Sequence, residues 1–256
     1  MIDIHCHILP GIDDGAKTEA DSIEMARQAI NSGIKTVIAT PHHKNRIYEN
    51  EKPFIQEDVR RLTELFNEMN LPLEVLSGQE VRVYGEIVEE LKQGKIQTLN
   101  NSKYLLLELP SDQVPRYTEQ LIFDIQQAGL IPVIAHPERN RELYKDPNGL
   151  YDFVRQGALA QLTAGSLTGV FGKEIKRVSL DMLKHNLIHF IASDAHNVDT
   201  RNFETLKEAY KVIKSEFGAI TQYTLEENAQ YLMHNENINR NEPMQIHNKK
   251  KFFGLF

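Results

Sequence analysis

Two histidines stand two residues apart at the end of the first apolar run, Met-Ile-Asp-Ile-His5-Cys6-His7. Residues so spaced on a strand point to one side, so two imidazoles can face one ion while Cys6 faces away. Later apolar runs end in the same residue types: Thr-Pro-His42-His43, Ser-Gly-Gln-Glu80, Leu-Glu108-Leu-Pro, Ala-His136-Pro-Glu138-Arg139 and Ser-Asp194-Ala-His196. With Asp14 they give a candidate ligand set of His5, His7, Asp14, His42, Glu80, Glu108, His136, Asp194 and His196. Imidazole nitrogen and carboxylate oxygen together suit manganese, iron or zinc. Nine ligands exceed the shell of one ion; two or three ions sharing bridging carboxylates would use them. Any one of these residues alone reads as a core histidine or a cap. Burying all of them at one place without ions would be very costly.

Neighbouring residues divide the roles. Of Asp13 and Asp14 only one can point at the metal, and the same holds for His42 and His43; Asp13 and His43 are expected to be loop or supporting residues. Arg139 and Arg201 fall close to proposed ligands, and guanidinium is suited to holding phosphate oxygens in pairs. Cys6 is followed six residues later by Ile12 and not Arg, so a cysteine-based phosphate cradle is missing and Cys6 is expected to be structural. His185, His189, His234 and His247 lie away from strand ends and are read as surface or structural residues.

Elements must bring these positions together. Apolar, β-branched runs predict strands at 2–5, 36–40, 73–77, 104–107, 132–135, 158–162 and 188–193. Amphipathic patterns predict helices at 19–32, 57–70, 86–93, 118–128, 150–156, 172–184 and 205–216, several of them stopped by glycine. Strand–helix alternation with short loops means a parallel sheet covered by helices. Ligands at nearly every strand end must share one site, and only a closed barrel brings those ends around one mouth. The expectation is an α/β protein with a closed barrel of about seven strands. It occupies residues 1–234 as a single domain, and a polar, then basic and aromatic, tail occupies 235–256.

The chain has 256 residues, 41% of them hydrophobic and 25% charged, which suits one barrel-sized globular unit. A net charge of −7 argues against general nucleic-acid binding. One cysteine excludes an internal disulfide, and no stretch approaches the roughly 20 apolar residues of a membrane span. A soluble, cytoplasmic protein is expected.

The pattern as a whole resembles the polymerase-and-histidinol-phosphatase (PHP) superfamily. The motifs that carry the resemblance are His5-Cys-His7, Gly11-Ile-Asp13-Asp14-Gly15, Thr40-Pro-His42-His43, Gly78-Gln-Glu80, Leu107-Glu108-Leu, Ala135-His136-Pro-Glu-Arg139 and Ser193-Asp194-Ala-His196. Within it they look most like the bacterial manganese-dependent tyrosine-protein phosphatases of capsule and exopolysaccharide operons. That resemblance implies a distorted (β/α)7 barrel with three manganese ions, iron or zinc being alternatives at some sites. One ion would be held by His5, His7, Glu80 and Asp194, a second by Glu80, Glu108 and His136, and a third by Asp14, His42 and His196. Catalysis would fall to Arg139 and Arg201 as phosphate clamps, with His42 or His196 as proton donor. The implied substrate is the tyrosine-rich tail of a membrane-associated autophosphorylating kinase. A small-molecule phosphatase of the histidinol-phosphate kind, a nuclease and a non-catalytic metal-binding scaffold that docks the kinase are the competing readings. The resemblance does not cover the tail, where Lys249-Lys-Lys251 precedes Phe252, Phe253, Leu255 and Phe256. It could contact an anionic membrane surface at the inner face of the membrane, or pack back on the barrel.

Overall fold

The computed structural model describes residues 1–247, so the basic and aromatic end at 249–256 lies outside the described residues. Nine strands are found among them: β1 (Ile2–Cys6), β2 (Thr36–Ala39), β3 (His42–His43), β4 (Glu74–Ser77), β5 (Glu80–Arg82), β6 (Tyr104–Glu108), β7 (Ile131–Ala135), β8 (Leu159–Thr163) and β9 (Phe190–Ala192). They form two parallel sheets, ordered β1-β2-β4 and β3-β5-β6-β7-β8-β9. Ten α-helices accompany them. No helix among the described residues is long and apolar enough to cross a membrane.

The two sheets are continuations of each other. The predicted strand at 36–40 breaks at Pro41, which has no N–H for a ladder, and resumes as β3. The predicted strand at 73–77 likewise resumes as β5 after Gly78. A Cβ at Gly78 would stand 2.6 Å from Ile38 Cγ2, so only glycine lets the strands stay this close. Backbone bonds from Gly78 N to Ala39 O and from Glu80 N to Pro41 O carry the pairing across the break. At the other margin β1 meets the segment after β9. Asp194 N donates to His5 O, His7 N donates to Ala195 O, and Cys6 bridges Ala195 in parallel.

Alternation along the strands splits the apolar residues into two cores. One lies between strands and helices, with Leu105, Leu107, Ile134 and Cys6 facing helix residues such as Met25 and Ile122. The other lies on the opposite face of the strands and gathers Ile4, Ile38, Tyr104, Leu106, Val133 and Phe190. On β6 the inward phase runs Tyr104, Leu106, Glu108, so the next inward residue above this core is a carboxylate. Register slips between Asp3 and Cys6 on β1, and there the buried Asp3 takes Ser193 N at 3.0 Å and also the Ser193 hydroxyl.

Helices follow the predicted spans with shifts of a residue or two, except that one begins earlier and three, Arg141–Lys145, Ala164–Thr168 and Ala219–Met233, were not predicted. The helix predicted at 57–70 begins earlier, as Lys52–Glu68, because Pro53 fits its first turn. Helix Ala219–Met233 was not predicted, since its apolar residues are not gathered on one face; it buries Leu225, Asn228, Ala229 and Leu232. Beyond it the chain stays against the body: Tyr104 Oη donates to Glu236 O, Asn148 and Ile246 exchange hydrogen bonds, and Ile246 is buried.

Asp3→Ala would leave Ser193 N–H and the Ser193 hydroxyl without their acceptor in a buried place, at a cost of about 2 kcal/mol. A urea titration should show a lower midpoint with an unchanged slope. An unchanged midpoint would mean that this stitch between β1 and β9 carries no stability.

Candidate metal centre

All nine candidate residues reach one mouth at the C-terminal ends of the strands. β1 carries His5 and, one residue past its end, His7; β3 carries His42, β5 Glu80 and β6 Glu108. His136 follows β7 with φ 31°, and Asp194 follows β9 with φ 54°. Both are left-handed conformations that side chains with a Cβ adopt rarely, and such strain collects at functional sites. Asp14 comes from the loop after β1. There Gly15 packs so closely on His7 that a Cβ would stand 2.0 Å from His7 O.

Glu80 is the centre of the arrangement. Its Oε2 lies 3.2 Å from His5 Nε2, 3.3 Å from His7 Nε2 and 3.0 Å from His42 Nδ1, and its Oε1 lies 2.7 Å from His136 Nε2. Asp194 Oδ1 stands 3.4 Å from both His5 Nε2 and His7 Nε2. On the outer side Asp14 Oδ1 is 3.3 Å from His42 Nε2 and 3.4 Å from His196 Nε2. Three groups have donor atoms close enough to share an ion: His5, His7 and Glu80; His42, Glu80 and Glu108; and His7, Asp14, His42 and His196. These match the implied sets in part, since neither His136 nor Asp194 falls in any of the three groups. Here His42 also faces the Glu80–Glu108 group, and His7 also faces the Asp14 group.

Supporting hydrogen bonds aim the imidazoles. His7 Nδ1 meets Asp13 Oδ2 at 2.6 Å, His5 Nδ1 meets Gln161 Oε1 at 2.9 Å, and His196 Nδ1 meets Asp194 O at 2.9 Å. Each leaves Nε2 free to face the centre, the usual support of a metal-binding histidine. Several buried atoms remain without a hydrogen-bond partner, among them Glu80 Oε2, Glu108 Oε2, Asp194 Oδ1 and His196 Nε2. Buried polar atoms are normally paired. Divalent ions would satisfy all four, so the donor set fits a metal centre.

Burial and neighbouring charges shift the titration of these groups. Burial raises Glu80, but His42 and His5 outweigh it and hold the carboxyl well below its ordinary value. Burial and the charge of Glu80 push Glu108 up to about 7. Burial lowers His42, but Glu80 and the bond to Asp14 raise it to about 10. Without ions, protons held on histidine balance the carboxylates.

Arg139 and Arg201 sit at the rim, and both donate to Asp194 Oδ2, Arg201 Nη2 at 2.6 Å. Arg139 also lies over the Phe171 ring, 5.1 Å from its centroid. His43 faces away from the centre, its Nε2 3.6 Å from Glu90, as its strand phase requires. Cys6 is fully buried, and burial pushes its thiol well above the ordinary value. His189 is buried and neutral, pushed to about 3 by burial, and accepts from Ala160 N. Sequence reasoning missed Gln161 and Arg82, whose Nε lies 3.2 Å from Glu108 Oε2. A polar residue inside the apolar run of β8 was the available signal for Gln161; nothing local marks Arg82.

Comparison with known proteins places this geometry among relatives. The family described as capsular polysaccharide synthesis, CpsB/CapC, matches residues 1–234. The chain is 53% identical to tyrosine-protein phosphatase YwqE of Bacillus subtilis (strain 168), covering all of both chains. It is 30% identical to tyrosine-protein phosphatase CpsB of Streptococcus agalactiae serotype III (strain NEM316), over 93% of this chain and all of that one. A crystal structure from work on YwqE of Bacillus subtilis and CpsB of Streptococcus pneumoniae, described as unique metal-dependent tyrosine phosphatases, superposes with a TM-score of 0.94. It is 52% identical and covers 97% of this chain and all of that one.

His42 and Glu108 must shed protons before they can ligate, so ion uptake should release protons and weaken as pH falls. Calorimetric titration of manganese into chelator-treated protein at pH 6, in two buffers of different ionisation heat, should report at least one proton released per protein. Uptake with no release would place His42 and Glu108 outside the metal shell.

Proposed function

The chain belongs to the CpsB/CapC family of capsular polysaccharide synthesis proteins, and on that premise we propose that it is a manganese-dependent protein-tyrosine phosphatase. Its substrate is the phosphorylated, tyrosine-rich tail of a membrane-associated bacterial tyrosine kinase, through which it regulates capsule or exopolysaccharide synthesis in the cytoplasm. The observation that carries this reading is the clustering of seven imidazole and carboxylate side chains, with His136 and Asp194 in contact with them, beneath two rim arginines, on a chain 53% identical to a tyrosine-protein phosphatase. The seven strand positions are read as a distorted (β/α)7 barrel, supported by the bonds between β1 and the segment after β9. Residues 1–234 form its catalytic unit, with 235–256 as a tail.

Three ions are assigned to His5, His7, Glu80 and Asp194; to Glu80, Glu108 and His136; and to Asp14, His42 and His196. When bound, they supply Lewis acidity toward phosphoryl oxygens and lower the pKa of water. The protein's own part is positioning and charge. Arg139 and Arg201 orient the phosphoryl group and offset charge on its oxygens as the bond to tyrosine breaks. The leaving phenolate has a pKa of about 10 and departs with little help, so it can take its proton from solvent while His42 and His196 serve as ligands. Asp13 and Gln161 hold His7 and His5 in the tautomers that keep Nε2 toward the centre. Cys6 takes no part, being buried on the far side of its strand.

Phosphate release from a phosphotyrosine peptide, histidinol phosphate and single-stranded DNA, each with manganese, tests the reading. The peptide should be the best substrate, chelation should abolish turnover, and Cys6→Ser should retain most of it. Preference for histidinol phosphate would make the protein a small-molecule phosphatase, and no hydrolysis of any substrate would leave a metal-binding scaffold. Arg139→Ala should lower kcat/KM by about one to three powers of ten with bound metal unchanged. Wild-type kinetics would return Arg139 to an ordinary surface ion pair.

A further inference from the structure

A second cavity opens beside the metal centre, on the side of Glu108. It has a volume of about 640 Å3, and its wall includes Lys44, Arg46, Arg82, Asp112 and Tyr117. Three cations against one carboxylate is unusual on a chain with a net charge of −7. Arg82 joins the cavity to the centre: its Nε lies 3.2 Å from Glu108 Oε2, and its Nη1 donates to Leu109 O at 3.1 Å. Lys44 is already matched by Glu49 and, at 3.6 Å, by Glu90. Arg46 makes no ion pair with any described residue, so its charge is free for a ligand.

The opposite side of the mouth carries the reverse sign. A cavity of about 310 Å3 there is lined by Asp14, Asp21, Glu24 and Asp199, with Lys17 as its one cation. The mouth is therefore polarised across the metal centre, basic beyond Glu108 and acidic beyond Asp14. A chain laid across it is sorted by charge, attracted on one side and repelled on the other.

We propose that the Lys44–Arg46–Arg82 cavity is a substrate subsite that receives an anionic side chain, a carboxylate or a second phosphoryl group, lying next to the phosphotyrosine being hydrolysed. This rests on the phosphatase reading above and adds to it a sequence preference. The space accommodates one whole side chain, within the range of ordinary ligand pockets. The exposed ring of Tyr117, whose hydroxyl donates to Val83 O at 3.0 Å, supplies an apolar lip beside the cations.

Full-length, manganese-loaded protein is assayed on phosphotyrosine peptides that differ at one neighbouring position, Gln, Glu or a second phosphotyrosine, placed before or after the target. The kcat/KM should rise in that order by about three- to tenfold, the range of one or two partly screened charge contacts, and from one side of the target only. Arg46→Gln should bring the Glu-to-Gln ratio toward one, and Arg46→Glu should reverse it and favour a Lys neighbour. Acceleration by Glu and by phosphotyrosine assigns a general anion subsite; acceleration by phosphotyrosine alone assigns a phosphoryl subsite. Equal kcat/KM for all peptides with the wild-type protein, or ratios unmoved by both Arg46 variants, would overturn the subsite while leaving the phosphatase standing. No phosphate release from any peptide or from p-nitrophenyl phosphate would instead overturn the phosphatase reading, and the subsite with it.

Discussion

One carboxylate organises the molecule. Glu80 has no exposed surface, yet its two oxygens meet four imidazoles, from His5, His7, His42 and His136. A buried charge of this kind is tolerated only with close partners of opposite sign, and these partners arrive from three strands, β1, β3 and β7. The sheet breaks at Pro41 and Gly78, the slip in β1, and the left-handed turns at His136 and Asp194 all serve that convergence. None of them would be favoured by packing alone. Conflict between local preference and arrangement gathers at the mouth, while the apolar core beneath it is regular.

The same electrostatics connects the fold to its chemistry. Glu80, Glu108 and Asp194 crowd together, and without ions their repulsion is relieved by protons on His42 and Glu108 and by the arginines on Asp194. Divalent ions can replace the protons, and a phosphoryl group can draw on the arginines. Asp194 thus stands between the two functions, with Oδ1 toward the histidines and Oδ2 toward the guanidinium groups. A chain with an overall negative charge in this way presents cations where an anionic substrate must approach.

Much of this was legible in the chain. Each strand end bearing His, Asp or Glu could be read because strands are short apolar runs and their last inward residue is set by phase, as Tyr104, Leu106 and Glu108 illustrate. The choice of His42 over His43 follows the same phase. What stayed hidden depends on partners distant in sequence. Arg82 matters through Glu108 on the next strand, and Gln161 through His5, 156 residues away. Asp3 looked like part of an apolar run until Ser193 came beside it. Helix Ala219–Met233 was hidden for another reason: its buried face includes Asn228, which donates to His189 O and Asn239 O, so the pattern lacks a clean apolar stripe.

The central claim is that Glu80 is shared between metal ions and holds the centre together. Elemental analysis of metal bound to manganese-loaded Glu80→Ala, set beside the wild-type protein and beside Asp14→Ala, tests it most directly, with circular dichroism to verify folding. The account predicts that Glu80→Ala loses more than one equivalent of manganese, whereas Asp14→Ala loses about one. Full metal occupancy in folded Glu80→Ala protein would contradict it.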